Sequence, residues 1–242
     1  MTQITLSKTN CYYLENENGN MLIDTGYAYD KDLFLRQMGD AGISIGDIRY
    51  LLLTHHHDDH SGLVSFLAKE NPDLVVIMHA LCAHLVSKGY NAKEYGGRWC
   101  SKSMQTLTSV YKKFDKNWTL TFPPYFAGPH DLLLDFSRGS VPFLDYTIIP
   151  TPGHTPDSIS LLSNDGSLFI GDAAANFLQF AGTHYAPPFI TDTSRFYATW
   201  KELLTLPIDR IYPAHGKSFS PDKLKKHLYS LKESKMPLFT GD

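Results

Sequence analysis

The sequence predicts a mixed α/β layer fold, and three observations carry that expectation. Between residues 50 and 78 the pattern runs strand, loop, helix, strand, the rhythm of βαβ-type layers. Hydrophobic residues make up 43% and aromatics 13%, enough to bury a sizeable core without disulfides. At about 150 residues per domain, a chain of 242 residues makes one large domain or one with an insertion. An intrinsically disordered chain and a cysteine-stapled mini-domain are excluded.

The elements follow in order. Short β-prone runs occupy Ile4–Leu6, Cys11–Leu14 and Met21–Asp24, and Asn18-Gly19-Asn20 has the turn chemistry of a hairpin between the last two. Lys31 to Ala41 is amphipathic, with Leu33, Phe34 and Met38 on one face, and Gly42 closes it. Tyr50–Leu53 is a short buried-type strand, a helix is expected from Ser61 or Gly62 to Lys69, and Leu74–Met78 is another strand. Residues 80–140 break the rhythm: two helical stretches, Ala80–Lys88 and Lys102–Phe114, flank a Gly- and aromatic-rich passage, and Phe122-Pro123-Pro124-Tyr125-Phe126 follows. The stretch is expected to be an insertion or lid within a single domain, because nothing in it builds its own core. Strands then return at Tyr146–Ile149, Ser158–Leu162, Leu168–Ile170 and Arg210–Tyr212, with helices at Ser194–Leu206 and Pro221–Leu231.

Composition also narrows compartment and partners. No apolar run approaches the ~18–20 residues of a membrane span, and the first 13 residues lack the basic and apolar regions of a secretory signal. Three cysteines, Cys11, Cys82 and Cys100, form no C-x-x-C pair. A cytoplasmic protein with free thiols is expected. A net charge of -3 argues against a nucleic-acid partner, and a small-molecule substrate is expected instead.

Histidine is the residue that stands out. There are eleven, and four fall between His55 and His60, in Thr54-His55-His56-His57-Asp58-Asp59-His60 directly after a strand. Neutral imidazoles and carboxylates projected from a rigid strand end suit zinc or a similar transition ion. His55 and His57 alternate off the strand and can reach one ion, while Asp59 and His60, turned by the loop, reach another. Three later strand ends present comparable donors: His154 in Thr151-Pro152-Gly153-His154-Thr155, Asp172 in Phe169-Ile170-Gly171-Asp172, and His215 in Tyr212-Pro213-Ala214-His215-Gly216.

These residues, in this order, resemble the metallo-β-lactamase-fold superfamily. The H-x-H-x-D-H signature is His55, His57, Asp59 and His60; the later single positions are His154, Asp172 and His215; Leu22-Ile23-Asp24-Thr25-Gly26 matches the first motif. The resemblance runs from about residue 5 to 220 and does not cover the insertion. It implies an α+β fold, an αββα sandwich of two mixed β-sheets packed face to face, with helices on the outer faces and a dinuclear metal site at one edge. His55, His57 and His154 would hold one divalent ion and Asp59, His60 and His215 the other, with Asp172 bridging. Zinc is the first expectation, manganese or iron the alternatives. A metal-bridging hydroxide would then serve as nucleophile, with Asp59 orienting it and carrying a proton to the leaving group.

Asp24 is expected to support the ligands from behind, with Thr54 and Asp58 as alternatives, and His56 to pack or to support rather than ligate. His184 and Tyr185 are candidates for the pocket mouth, Arg98 for an anion clamp beside Trp99. The chain departs from many relatives at Ser61-Gly62-Leu63 and at Thr155-Pro156-Asp157-Ser158, where a further glycine is frequent; both affect loop shape and neither a ligand.

Within the superfamily, the missing export signal argues against a secreted β-lactamase. The short tail after His215 argues against a glyoxalase-II-type thioesterase. His57 and the chain length argue against the flavodiiron branch, and the charge against the nuclease branches. The expected activity is hydrolysis of a small-molecule ester, lactone, thioester or phosphoester. Two alternatives stay open: a dioxygenase acting on a sulfur compound, with one iron held by His55, His154 or His215, and Asp172; and a non-catalytic metal-binding sensor. The full ligand set argues against the sensor.

Overall fold

The structure is a computed structural model that describes residues 1–115, 117 and 120–239. It divides into two compact units, one of residues 1–92 and 120–139, the other of 93–119 and 140–242.

The first unit begins with strands β1 (Thr2–Thr5), β2 (Asn10–Leu14) and β3 (Met21–Ile23), then helix α1 (Lys31–Asp40), strand β4 (Tyr50–Leu52), helices α2 (Asp58–Ser61) and α3 (Val64–Glu70), strand β5 (Val75–His79) and helix α4 (Ala80–Val86). The stretch expected as an insertion is shared between the units. Strand β6 (Arg98–Trp99) and helix α5 (Lys102–Phe114) belong to the second, and strand β7 (Leu132–Leu134) returns to the first. Its apolar residues join existing cores: Phe122 enters the first, Cys100 and Met104 the second.

The first unit's sheet has the order β1-β2-β3-β4-β5-β7. The β2–β3 hairpin turns at Gly19, whose φ of 125° favours glycine. From β3 onward the pairing is parallel. Such strands are covered on both faces, which is why Met21-Leu22-Ile23 and Val75-Val76-Ile77-Met78 read as unbroken apolar runs. Helix α1 turns Phe34 and Met38 into the core formed by Leu22, Leu51, Leu53 and Val76. The β3–β4 register pairs Ile23 with Leu52, and Asp24 N–H donates to the Leu52 carbonyl at 3.0 Å. That alignment brings Asp24 beside Thr54.

In the second unit, strands β8 (Val141–Phe143), β9 (Tyr146–Pro150), β10 (Ile159–Ser163) and β11 (Ser167–Gly171) are followed by β12 (Phe189–Ile190), helix α6 (Thr193–Leu203), strand β13 (Arg210–Pro213) and helix α7 (Asp222–His227). The sheet order is β13-β11-β10-β9-β8, and β12 pairs separately with β6. β11 and β13 run parallel, with Phe169 opposite Tyr212 and a register shift before Gly171 pairs with Pro213. Two donor-bearing strand ends, those before Asp172 and His215, thereby lie at the same end of the sheet. The β9–β10 hairpin closes around residues 151–158, Thr151 N–H donating to the Ser158 carbonyl at 2.8 Å. Helix α6 packs Phe196, Trp200 and Leu203 against Leu168, Ile170 and Ile211, and the Trp200 indole donates to the Ala173 carbonyl.

Several boundaries differ from expectation. Helix formation begins at Asp58, inside the signature, so Asp59 and His60 lie on a helical turn and not in a loop. The edge strands β7 and β8 were not expected: Leu132 and Leu133 are exposed and lack inward–outward alternation, and Pro142 is tolerated only where no partner needs its N–H. α7 stops at His227, well short of Leu231, and Tyr229 adopts a positive φ of 64°. Among the described residues no helix is long and apolar enough to cross a membrane.

Candidate metal centre

The first unit carries His55, His57, Asp59 and His60. The rings of His55 and His57 lie 4.6 Å apart and those of His55 and His60 4.0 Å apart. His55, Asp59 and His60 are buried. Behind them, Asp24 accepts from Thr54 N–H at 2.8 Å, from the Thr54 hydroxyl at 2.8 Å and from His60 Nδ1 at 2.8 Å. A carboxylate only accepts, so this contact fixes the proton of His60 on Nδ1 and leaves the Nε2 lone pair for another use. The Thr54 hydroxyl spends its proton on Asp24, so its oxygen accepts from His55 Nδ1 at 3.2 Å and fixes that ring in the same tautomer. Asp24 thus holds His60 directly and His55 through Thr54.

Asp58 and His56 hold the loop from the other side. Asp58 N–H donates to Asn91 Oδ1 at 2.8 Å, and the Asn91 amide donates back to Asp58 Oδ1 at 2.7 Å. Ala92 N–H donates to His56 Nε2 at 3.1 Å, which occupies that nitrogen. Burial first, then the neighbouring Asp59 charge, push the Asp58 carboxyl up to about 6, against the opposing Asn91 hydrogen bond. Gly62 lets the turn close: a Cβ there would stand 2.4 Å from Ala28 N and 2.6 Å from the Gly26 carbonyl. Thr25 completes the clasp, its hydroxyl donating to the His60 carbonyl and accepting from Leu63 N–H.

The second unit carries His154, Asp172 and His215. His154 Nδ1–H donates to the Phe189 carbonyl at 2.7 Å, which again leaves Nε2 as the lone-pair nitrogen. That Nε2 faces Asp172 Oδ2 at 3.6 Å, and His215 Nε2 faces Asp172 Oδ1 at 3.3 Å. Each oxygen of one carboxylate therefore addresses a different imidazole. In the first unit His60 Nε2 faces Asp59 Oδ1 at 3.6 Å.

These three spacings test whether the donors fit a metal. A protonated imidazole bound to a carboxylate closes to about 2.7–2.9 Å. Two ligands at bond lengths of 2.0–2.1 Å on a tetrahedral ion stand about 3.3 Å apart. The observed pairs match the second case, and for His60 and His154, whose Nε2 carries the lone pair, imidazole and carboxylate face each other as two acceptors, as ligands of one cation would. The residues fit the group.

The residues expected at the pocket make the following contacts. Arg98 donates to Glu233 Oε1 at 3.2 Å and to the Met236 carbonyl at 3.1 Å. The Trp99 ring meets Phe189 and Phe239. His184 stacks on His227, and Tyr185 packs against Phe219 and His227. Asn91 and the Phe189 carbonyl were not expected. A lone asparagine carries no periodic signal, and a backbone carbonyl carries no sequence signal at all.

Residues 4–215 match the metallo-beta-lactamase superfamily, and the chain belongs to it. The Bacillus subtilis protein YobT, described as uncharacterized, is 28% identical over 169 residues, which is 69% of this chain and 63% of YobT. The probable metallo-hydrolase YflN of the same organism is 25% identical over 228 residues, 88% of this chain and 82% of YflN. Among solved structures, TTHA1623 in a di-iron-bound form aligns with a TM-score of 0.65 at 24% identity, covering 94% of this chain and 98% of that one. The fold is the metallo-β-lactamase fold, of α+β class.

Proposed function

We propose that the chain is a metal-dependent hydrolase of a small-molecule ester, lactone, thioester or phosphoester. The two units are read as halves of one metallo-β-lactamase-like domain, in keeping with a family match that spans both. His55, His57 and His154 would hold one divalent ion, Asp59, His60 and His215 the other, and Asp172 both. The observation that carries this reading is Asp172 itself, whose Oδ1 and Oδ2 face His215 and His154 at 3.3 and 3.6 Å. A carboxylate divided between two imidazoles is the arrangement a bridging ligand needs.

An all-imidazole and carboxylate donor set favours zinc, with manganese or iron as alternatives. Two such ions, when bound, ionise a water near neutral pH and polarise an acyl or phosphoryl oxygen. The side chains supply the rest. Asp24, Thr54 and the Phe189 carbonyl keep His60, His55 and His154 in the tautomer that offers Nε2. Asp59, at the N-terminal turn of α2, would take a proton and return it to the leaving group. The name of YflN, a probable metallo-hydrolase, supports hydrolysis. The three buried free thiols support a reducing, cytoplasmic setting.

The test is metal analysis of protein purified without chelator, joined to a panel of lactones, thioesters and phosphodiesters. Two ions per chain are expected, together with turnover that falls by roughly three orders of magnitude in Asp59→Asn or His154→Ala. Absence of metal, or near-wild-type rates in metal-replete variants, overturns the proposal. One iron per chain with oxygen consumption replaces it with the dioxygenase reading.

A further inference from the structure

The hydrogen bond that fixes His154 comes from an element that pairs with little else. The Phe189 carbonyl lies in β12, a two-residue strand whose partner in its sheet is β6, itself two residues long. Two-stranded ribbons of ordinary length are marginal in water, and this one is shorter still. The same segment also grips the His154 loop through its backbone. Thr191 N–H and Asp192 N–H donate to the Gly153 carbonyl at 2.9 and 3.0 Å. Both the ring and the backbone of His154 therefore inherit their position from β12.

What completes the ribbon is the segment Met236–Phe239. Trp99 N–H donates to the Pro237 carbonyl at 2.8 Å, and Phe239 N–H donates to the Gly97 carbonyl at 2.9 Å. Arg98 and Leu238 form an antiparallel bridge, so the segment adds a third strand beside β6. Arg98 ties it down with its bonds to the Met236 carbonyl and Glu233. The Phe239 ring then packs on Phe189 at 4.7 Å and on Trp99 at 5.8 Å, across the residue whose carbonyl holds His154. Gly97 permits this closeness, since a Cβ there would stand 2.5 Å from the Phe189 ring.

We propose that residues 236–239 form a strap that positions His154 through β6 and β12, with Phe239 as the positioning residue that sets the affinity of one of the two ions. This rests on the metal reading above. Arg98 and Trp99 thereby gain a role in building the site. Hydrogen-bonding groups behind metal ligands change affinity by about 10–100-fold when disturbed, and a strap acting through one ligand should disturb one ion only.

The experiment is calorimetric titration of zinc into the chelator-stripped full chain, comparing wild type, Phe239→Ala, Phe239→Leu and Arg98→Gln, with near-UV circular dichroism recorded alongside. In Phe239→Ala one dissociation constant is expected to rise about 10-fold or more and the other to stay within about twofold. Phe239→Leu should recover most of the loss, and Arg98→Gln should move the same constant by less. Unchanged affinities in Phe239→Ala, even with a lower melting temperature, overturn the strap and make its role structural. Equal weakening of both ions overturns it as well, since the effect would then not run through His154. A wild-type chain that takes up neither zinc, manganese nor iron fails the underlying metal reading, a result distinct from either.

Discussion

The two units build their donor sets in different ways. In the first, His55, His57, Asp59 and His60 come from one run of six residues, and a side-chain network from Asp24 and Thr54 holds them. In the second, His154, Asp172 and His215 come from three separate strand ends. A backbone carbonyl and a shared carboxylate hold them. A contiguous set is aligned by local geometry and needs one anchor. A dispersed set depends on sheet register, on the β11–β13 alignment and on the turn at Gly153. The same chemistry is therefore exposed to different failures on the two sides.

Asp172→Ala should break the dispersed side most completely. It removes the facing partner of both His154 and His215, so the second ion should be lost and the first weakened. Hydrolysis should fall by about three orders of magnitude or more, and metal analysis after desalting should return fewer than two ions per chain. Two tightly held ions in this variant would remove Asp172 from the bridging role.

Asp24→Asn tests the contiguous side and should act more gently. Asp24 has a φ of 59°, a region asparagine tolerates, so the backbone can stay in place. The amide nevertheless offers one acceptor where the carboxylate served Thr54 N–H, the Thr54 hydroxyl and His60 Nδ1–H. Metal affinity should drop by about 10–100-fold, with stoichiometry recovered at saturating metal. Competition titration against a chromophoric chelator reads this directly, and unchanged affinity would show that His60 keeps its tautomer without Asp24.

A pair of glycines sharpens the comparison in stability. Gly153 has a φ of +140° and an added Cβ would stand 2.4 Å from the Phe196 backbone. Gly62 has no positive φ, and its Cβ would meet Ala28 N at the same 2.4 Å. Gly153→Ala therefore combines backbone strain with overpacking, about 2–5 kcal/mol together, whereas Gly62→Ala adds overpacking alone at about 1–3 kcal/mol. Thermal melts should rank Gly153→Ala below Gly62→Ala, with both below wild type. The reverse order would mean the His154 turn has room to shift.

That contrast also explains what could be read in advance. The histidine run was legible because its donors are neighbours in sequence, and alternation off a strand already suggests a shared target. Asp24 was legible through its place in Leu22-Ile23-Asp24-Thr25-Gly26, the stretch that resembles the superfamily's first motif. The start of α2 was not, because Asp58 and Asp59 favour a helix N-terminus as readily as a loop. β7 and β8 were not, because edge strands lack the burial that imposes alternation.

The sequence by itself determined the donor types, their order along the chain and the strand ends that carry them. Apolar runs and turn residues are local signals, and local signals survive in one dimension. Tertiary structure decided which imidazole nitrogen His55, His60 and His154 offer, because that depends on Asp24, acting on His55 through Thr54, and on the Phe189 carbonyl, each arriving from 30 or more residues away. It also decided that Arg98, Trp99 and Phe239 lie behind His154. Those contacts are made of backbone carbonyls and ring faces, which look alike at every position of a sequence until the chain folds.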